Sequence, residues 1–423
     1  MDILNNSVPQ IFSWIDPGNT GACGWVVIDS LVNGLAAGGL FIHAEATLEE
    51  VSDLAKSMSY KNTLLDPIVG GAKAGIRFDH QDPRALSVIR RFLLEHKFLL
   101  ENFWYTGADL NTSNDFIFDV IEQDLKLPSV FYSLGKMLNQ SFSIADQSGF
   151  LRQRLSSIVS NGFTLESCST GYSVAAAIKL LSFKRKPRVL IQGFGAVGSS
   201  LHYFLQAQNI ATVVGIADVD GFILHPVGIP IESLNAKDTD RTGSILSQVD
   251  RTQHHWFPRR DFETDEAFLS RFLSSQTAEI FSPCATRYQV TQDVANTLLS
   301  KTFIDAPVDQ CFVVSGANNA FYSESVRMFL EKHGAQILPE WVSNSGTSIL
   351  FMESMKEISA NVDWSRYLLS VIESRLRLFV DTKKTSIKKT LYENCVALAA
   401  QRLNEAKIKN KQVVERKILE STL

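Results

Sequence analysis

Two lysines and an aspartate stand among unusually small residues in the first third of the chain. Lys73 lies in the run GGAKAG at 70–75, Lys61 precedes it by twelve residues, and Asp109 lies in TGADLNT at 106–112. Small neighbours let a substrate approach closely and let a lysine be buried, which lowers the pKa of its amine. Such an amine can act as a general base near neutral pH. A buried structural lysine–aspartate pair is the commoner cause of such spacing, and both interpretations are open here.

A glycine-rich motif in the middle of the chain has the spacing of a dinucleotide-binding turn. A predicted strand at 188–192 leads into a GxGxxG pattern, and a predicted helix at 199–208 follows it. The first glycine permits a tight turn, the second admits a pyrophosphate, and the third lets the helix pack on the strand. The free N–H groups at the start of the helix favour an anion. The six residues of the motif are Gly193, Phe194, Gly195, Ala196, Val197 and Gly198.

An acidic residue follows this motif at the distance expected for a ribose contact. The predicted strand at 211–217 ends at Asp218, twenty residues after Gly198. A carboxylate there accepts hydrogen bonds from the ribose hydroxyls and repels the 2′-phosphate of NADP, so the sequence predicts NAD as the cofactor. Asp220 is the alternative carboxylate. A glycine turn that binds no ligand is the alternative for the whole motif.

The elements that must position these residues fall into three regions. Residues 1–150 mix short strands and helices, residues 151–345 alternate strands with helices, and residues 346–423 are helical almost throughout. The alternation predicts parallel strands with crossover helices. The individual predictions are a strand at 25–30, a helix from an N-cap at Thr47 to Lys61, a helix from Asp82 to 103, strands at 188–192, 211–217 and 312–315, and a surface excursion with one short helix at 225–261.

The composition argues against several classes of protein. The 423 residues are 45% hydrophobic and 20% charged, and the net charge is −4. This balance argues against nucleic acid or an anionic membrane as the main partner. No apolar run approaches the ~20 residues that span a bilayer, and the start lacks a secretory pattern. The five scattered cysteines form no ligand cluster, so we expect no metal, reduced thiols and a cytoplasmic location.

An ordered series of motifs extends over most of the chain. The blocks are GLAAGG at 34–39, MSYKN at 58–62, GGAKAG at 70–75, GADLNT at 107–112, Ser169-Thr170-Gly171, GFGAVG with Asp218, SPCAT at 282–286, VSGANN at 314–319 and PEWVSNSG at 339–346. Together they resemble the Glu/Leu/Phe/Val amino acid dehydrogenase family, from about residue 20 to about residue 410. A single block can arise by chance, whereas the ordered set is specific.

The resemblance implies an α/β fold of two domains. A Rossmann-type NAD-binding domain at 151–345 would be inserted in an α/β catalytic and oligomerisation domain at 1–150, which the helices of 346–423 complete. The family is oligomeric. The implied partners are therefore further copies of the chain, in a homo-oligomer, and a small amino acid or 2-oxo acid substrate, with no nucleic acid and no membrane.

The resemblance also assigns roles to individual residues. Lys61 matches the lysine that holds the substrate α-carboxylate, Lys73 the catalytic lysine, and Asp109 the catalytic aspartate. The implied cofactor contacts beyond the glycine motif and Asp218 are Thr170 and Asn318 at the nicotinamide carboxamide, Cys284 and Ala285 beside the nicotinamide ribose, and Asn344 before the last substrate-lining helix. For Cys284 and Asn344, a backbone or packing role is equally open.

The expected substrate pocket offers no cation at one decisive position. Glutamate-type members of the family carry a lysine just before the glycine pair, where this chain has Ala37. Burying a glutamate side chain without a partner is costly, so we expect an apolar L-amino acid. The volume left by Ala37 and Gly107 favours an aromatic side chain over a branched one. The predicted substrate-binding residues are Lys61, Gly39, Met58, Ala37, Gly107 and Phe351.

Three positions depart from the family pattern. Phe41 replaces the usual arginine, Ser315 the usual acidic residue, and Thr347 the usual second glycine. The predicted function is the reversible, NAD-dependent oxidative deamination of an apolar L-amino acid to a 2-oxo acid and ammonia. The alternatives are a glutamate dehydrogenase-type activity and a non-catalytic NAD-binding regulatory paralogue, and the three departures favour the paralogue.

Overall fold

A computed structural model describes residues 8–138, 152–160, 162–233, 255–307, 310–356, 362–381 and 389–422, with side chains to 409. The chain divides into two compact units. The first unit comprises Met1–Arg154, Ser354–Glu357 and Leu398–Leu423, and the second comprises Leu155–Glu353 and Ile358–Ala397. Residues 346–353 and 358–397, predicted to complete the catalytic domain, thus group with the second unit.

The first unit is built on a six-stranded mixed sheet. Its strands are β1 (Gln10–Ile15), β2 (Cys23–Ile28), β3 (Ala36–Ala37), β4 (Leu40–His43), β5 (Gly70–Arg77) and β6 (Trp104–Tyr105). The order is β1-β2-β5-β3-β6, and β4 pairs with β5. Its first helices are α1 (Leu48–Lys61), α2 (Ala85–Glu95), α3 (Lys97–Asn102), α4 (Asn114–Asp119) and α5 (Tyr132–Met137).

Strand β5 carries the GGAKAG run through the middle of this sheet. Seven of its eight residues are buried, because β5 pairs with β2 on one side and with β3 and β4 on the other. Helix α1 packs on β5. It begins as predicted, since the Thr47 hydroxyl accepts a hydrogen bond from the Glu50 N–H.

Two predictions for the first unit need correction. The strand predicted at 25–30 runs from Cys23 to Ile28. The helix predicted to start at Asp82 begins only at Ala85, because the Asp82 carboxylate binds both the backbone N–H and the guanidinium of Arg84 and holds a turn there. That helix is also interrupted at His96, whose Nδ1 contacts the Phe92 carbonyl.

The second unit contains a seven-stranded sheet. A small hairpin, β7 (Ile158–Ser160) and β8 (Phe163–Thr164), precedes it. The sheet strands are β9 (Arg188–Gln192), β10 (Thr212–Asp218), β11 (Gly221–Leu224), β12 (His255–Pro258), β13 (Ile280–Pro283), β14 (Phe312–Val314) and β15 (Gln336–Leu338), in the order β12-β11-β10-β9-β13-β14-β15. Strands β10, β9, β13, β14 and β15 are mutually parallel, as predicted from the alternation.

Helices flank the strands of this unit along the chain. They are α6 (Leu165–Leu180), α7 (Ala196–Ala207), α8 (Asp265–Ser274), α9 (Gln292–Thr297), α10 (Glu324–Lys332), α11 (Glu340–Ser343), α12 (Gly346–Ser354), α13 (Trp364–Val380) and the start of α14 (Leu391–Thr422), whose residues from Leu398 belong to the first unit. A core of buried side chains, which includes Phe222, Phe272 and Phe281, joins the strands of this sheet to the helices. Among the described residues, no helix combines the length and apolarity needed to cross a membrane.

The excursion predicted at 225–261 differs from its prediction at its end. Residues 255–258 form strand β12, which pairs antiparallel with β11 and extends the sheet. The sequence pattern did not predict this strand, because the segment that contains it is polar and rich in proline. Residues 234–254 of the excursion, and the predicted domain boundary at 150, lie outside the described residues.

Candidate active site

The structure brings Lys73 and Asp109 into direct contact. Lys73 lies at the centre of β5 with 2% of its side chain exposed, and its Nζ donates to Asp109 Oδ2. Asp109 follows β6 in a loop, and 25% of its side chain is exposed. The pair therefore joins a fully buried amine to a carboxylate that solvent and small molecules can reach.

The loop that holds Asp109 is fixed by backbone and hydroxyl contacts. The backbone nitrogen of Asp109 lies 3.0 Å from the Leu40 carbonyl oxygen and 2.9 Å from Thr112 Oγ1. A Cβ on Gly39 would lie 3.2 Å from the Cβ of Asp109, so the absent side chain is what lets the loop approach β4. Gly39 thus has a packing reason for its identity beside its predicted role at the substrate.

Lys61 is the last residue of α1 and is buried at 7% exposure. The next residue, Asn62, is completely buried and donates from Nδ2 to the carbonyl oxygens of Ala37 (3.1 Å) and Gly70 (2.6 Å). These bonds tie the end of α1 to β3 and β5. Asn62 is a positioning residue to which the sequence analysis gave no role, although it lies inside the MSYKN block.

Burial and charge together lower the pKa of Lys73. Desolvation is the largest cause, the nearby Lys61 ammonium adds to it, and the Glu50 carboxylate opposes it, leaving the pKa at about 7. An amine with this pKa exchanges protons near neutral pH, as acid–base chemistry requires.

The other predicted substrate residues of the first unit lie on β3, on α1 and after β6, and position 37 offers no cation. Ala37 is 4% exposed in β3, and Gly107 is buried just after β6. Met58 is half-buried on α1. Phe351 belongs to the second unit, where it lies on α12 and is 8% exposed.

The glycine motif of the second unit has the geometry of a dinucleotide turn. Gly193 has φ +92°, which favours glycine, and a Cβ on Gly198 would lie 1.9 Å from the Gly193 carbonyl oxygen. A Cβ on Gly195, in contrast, would meet nothing within 4 Å. That open space lies at the N-terminus of α7, so the residues present fit a bound pyrophosphate.

Asp218 ends β10 next to this motif, as predicted. Its Oδ1 accepts the Val219 N–H at 2.7 Å, and the Gly193 N–H donates to the carbonyl of Ala217. Asp220 lies exposed in the following turn, where its carbonyl accepts the Arg259 N–H at 2.7 Å. Asp218 is therefore the better-placed carboxylate for a ribose on the motif.

Four of the other predicted cofactor residues lie in three places: Cys284 and Ala285 in the loop after β13, Asn318 in the loop after β14, and Asn344 directly after α11. The Cys284 thiol is buried against Gly316, and burial raises its pKa to about 12, which favours a packing role. Ala285 is exposed. Asn344 Nδ2 donates to Asn318 Oδ1 at 2.8 Å, while the buried Asn344 Oδ1 has no hydrogen-bond partner among the described residues.

A strained backbone pair joins these two loops. Tyr288 has φ +59° and Asn319 has φ +47°, and the Tyr288 N–H donates to the Asn319 carbonyl at 2.8 Å. A left-handed conformation is rare for a bulky residue and is common at functional sites. Spacing arguments could not predict the conformation of Tyr288, because tyrosine disfavours the left-handed region.

Two of the departures from the family pattern are built into the structure without unsatisfied groups. Phe41 is 1% exposed in a small core with Val51 and Leu54, and its ring fills the space beside Gly75. The Ser315 hydroxyl lies 3.1 Å from the Pro283 carbonyl and 2.7 Å from the Ala317 carbonyl, which joins the ends of β13 and β14.

Family models decide what kind of protein carries this arrangement. A model described as Glutamate/Leucine/Phenylalanine/Valine dehydrogenase matches residues 162–419, and one described as the Glu/Leu/Phe/Val dehydrogenase dimerisation domain matches residues 16–115. The chain belongs to the Glu/Leu/Phe/Val dehydrogenase family. The predicted resemblance and the enzyme class, an oxidoreductase of the amino acid dehydrogenase type, are confirmed.

Curated relatives within this dehydrogenase family are glutamate dehydrogenases. One from Aeropyrum pernix is 25% identical over 339 residues, which span 77% of this chain and 70% of the relative. An NAD-specific enzyme from Staphylococcus aureus is 26% identical over 323 residues (74% and 67%), and an NADP-specific one from Saccharolobus shibatae is 24% identical over 328 residues (76% and 68%). The predicted NAD cofactor is in line with the S. aureus relative. The names support the glutamate-type alternative better than the predicted apolar substrate.

Solved dehydrogenase structures share the fold. The hetero-hexameric glutamate dehydrogenase of Thermus thermophilus, in its Leu-bound form, has a TM-score of 0.67 at 20% identity and covers 95% of this chain and 89% of its own. The glutamate dehydrogenase of Plasmodium falciparum has a TM-score of 0.66 at 17% identity and covers 97% and 84%. The predicted two-part α/β fold class is confirmed.

Proposed function

We propose that this family member catalyses the reversible, NAD-dependent oxidative deamination of an L-amino acid to a 2-oxo acid and ammonia. The observation that carries the proposal is the contact between Lys73 and Asp109, in which a buried amine with a pKa of about 7 meets a carboxylate that solvent can reach. Lys61 supplies a second, nearby positive charge. An acid–base pair beside a cation suits a substrate that has both a carboxylate and an ionisable amino group.

In the proposed mechanism, Lys61, Lys73 and Asp109 each have a separate role. Lys61 holds the substrate α-carboxylate by charge and hydrogen bonding. NAD held by the glycine motif and Asp218 would supply the acceptor for a hydride from the substrate α-carbon, and loss of that hydride would convert the amine to an imine. Lys73, in its neutral form, takes a proton from the water that attacks the imine carbon, and a carbinolamine results. Asp109 passes the proton that Lys73 took from water to the amino nitrogen. The carbinolamine hydroxyl then gives its proton back to Lys73 as the C–N bond breaks, which releases ammonia and the 2-oxo acid.

The proposed domain roles and assembly follow the same division. We assign acid–base catalysis and subunit contacts to the first unit and NAD binding to the second. The support for a homo-oligomer is the match of residues 16–115 to a dimerisation domain, together with the hexameric description of the T. thermophilus enzyme. A cytoplasmic location stays a prediction.

L-Glutamate is the first candidate substrate, because the curated relatives are glutamate dehydrogenases. Its distal carboxylate would need a hydrogen-bonding or cationic partner from this chain other than residue 37.

An apolar L-amino acid, branched-chain or aromatic, is the second candidate. The observation that favours it is Ala37, which is buried in β3 beside Lys73's strand and presents only a methyl group.

One set of rate measurements separates these candidates. Initial rates of NAD reduction are compared for L-glutamate, L-leucine, L-phenylalanine and L-tryptophan at alkaline pH, with the wild type, Ala37→Lys and Ala37→Met. If glutamate is the best wild-type substrate, the glutamate-type activity holds. If an apolar substrate is best, Ala37→Lys lowers its rate and raises that of glutamate, whereas Ala37→Met, of similar length but uncharged, gains no glutamate activity. A protein that binds NAD but reduces none with any amino acid is the regulatory paralogue.

A further inference from the structure

Three hydroxyl groups form a chain between α6 and α12 of the second unit. Ser169 Oγ lies 2.9 Å from Thr347 Oγ1, and Thr347 Oγ1 lies 2.8 Å from Thr170 Oγ1. Ser169 is completely buried, whereas Thr170 and Thr347 are half-buried. The chain thus runs from the interior of the unit to its more open side.

The start of α12 is fixed against α6 by a separate set of contacts. Ser173 Oγ accepts the Gly346 N–H at 3.1 Å and lies 2.6 Å from the Ser343 carbonyl oxygen. A Cβ on Gly346 would lie 1.9 Å from the Ser169 carbonyl oxygen, so the glycine is what permits this close approach. The position of Thr347 beside Thr170 therefore does not depend on the hydroxyl chain itself.

Burial determines which hydroxyl donates at the buried end of this chain. Thr347 Oγ1 is the partner that the described residues give to the Ser169 hydroxyl, and leaving a buried O–H without an acceptor is costly. Ser169 therefore donates to Thr347 Oγ1, and the Thr347 hydroxyl has one proton of its own to give. When Thr347 gives that proton to Thr170 Oγ1, which lies 2.8 Å away, the proton of Thr170 is left for an acceptor on a ligand.

We propose that Thr347 is a positioning residue that orients the Thr170 hydroxyl as a hydrogen-bond donor to the carboxamide oxygen of bound nicotinamide. The inference rests on the proposed function only through the assignment of Thr170 to the nicotinamide end of the cofactor. Thr347 stands where the family usually has glycine, so this chain adds a side chain at the very point that contacts Thr170. The Thr347 hydroxyl restricts the rotation of the Thr170 hydroxyl and leaves the Thr170 proton for the ligand.

The test compares two ligands that differ in the nicotinamide group. Binding of NADH and of ADP-ribose, which lacks nicotinamide, is measured by calorimetry on the full chain with no amino acid present. The variants are Thr347→Val, which keeps the shape but removes the hydroxyl, and Thr347→Ser, which keeps the hydroxyl. Thr302→Val is the matched control, because Thr302 donates a buried hydroxyl hydrogen bond to the Leu273 carbonyl at 2.8 Å in the same unit.

We expect Thr347→Val to weaken NADH binding about fivefold to tenfold, the scale of one hydrogen bond, and to leave ADP-ribose binding within about twofold. Thr347→Ser and Thr302→Val should both bind NADH within about twofold of the wild type. An equal loss for both ligands, or unchanged NADH binding, overturns the role of Thr347. If Thr347→Val does not fold, Thr347→Ala takes its place, with the same expected losses.

These outcomes are separate from those of the proposed function. A wild type that binds no NADH overturns both the cofactor assignment and the role of Thr347. A wild type that binds NADH but deaminates no amino acid overturns the proposed reaction alone, because the binding comparison still decides what Thr347 does.

Discussion

The lysine cluster of the first unit and the hydroxyl–amide cluster of the second use opposite kinds of polar chemistry. In the first, Lys61, Lys73, Glu50 and Asp109 place four ionisable groups in or beside a buried strand and helix. In the second, the Thr170–Thr347 and Asn318–Asn344 contacts join neutral groups that do not titrate near neutral pH. We therefore expect the pH dependence of the rate to originate in the first unit, while cofactor affinity varies little with pH.

The substitution with the largest predicted consequence removes Lys73 from the charged cluster and leaves the second unit unchanged. We expect Lys73→Ala to lower kcat by ~10²–10⁴-fold, the scale of general acid–base catalysis, because Lys73 is the proposed acceptor of the proton from the attacking water. NADH affinity should stay within about twofold, since Lys73 and the glycine motif lie in different units. Steady-state rates and NADH titration measure the two effects. Retention of more than about a tenth of the activity would contradict the role of Lys73.

A second, smaller effect concerns the cofactor specificity of the second unit. Asp218 is the predicted charged contact with the cofactor there. We expect the wild type to prefer NAD over NADP in kcat/KM, because a carboxylate beside a 2′-phosphate is a like-charge clash. Asp218→Asn should reduce that preference by at least about tenfold, whereas Asp220→Asn, the matched control on the exposed turn, should leave it nearly unchanged. Equal efficiency of the wild type with both cofactors would refute the assignment, and a loss of preference only in Asp220→Asn would transfer it to that residue.

The smallest effect tests the electrostatics within the charged cluster. Glu50 favours the charged form of Lys73, so Glu50→Gln should lower the pKa of Lys73 further below about 7. Deamination requires the neutral amine, and its rate therefore rises with pH through that pKa. The rising limb of the variant's pH profile should lie at lower pH. The ratio of its rate at about pH 6 to its plateau rate should be about twofold to fivefold larger than the same ratio for the wild type. A pH–kcat profile of both proteins measures the shift, and a limb displaced to higher pH would contradict it.

Local patterns predicted those parts of the molecule that are decided locally. The Thr47 cap, strand β9 at Arg188–Gln192 and the position of Asp218 at the end of β10 follow from neighbouring residues, and the structure confirms them. The start of α2 did not follow from the pattern, because the Asp82 carboxylate engages Arg84 within the preceding turn instead of capping the helix.

Contacts between distant residues were outside the reach of spacing arguments. Lys73 and Asp109 are 36 positions apart, and the pattern alone left a structural pair as the commoner explanation until the family resemblance assigned their roles. Thr170 and Thr347 are 177 positions apart, and Thr347 was visible only as a departure from a family pattern. Asn62 could have been found from its place in MSYKN, since a polar residue next to a buried lysine at a helix end needs partners of its own.

The crowding around β5 limits how this protein can evolve. A methyl group on Gly38 would lie 1.6 Å from the Ala72 carbonyl oxygen, and one on Gly71 would lie 2.1 Å from the Ser59 nitrogen. Neither neighbour is a flexible side chain, so almost any replacement at these two positions displaces the strand that carries Lys73. Ala37 and Gly107 are the adjacent positions at which substrate preference could drift. A selection for new substrates from random libraries should therefore return changes at those two positions while the two crowded glycines remain fixed.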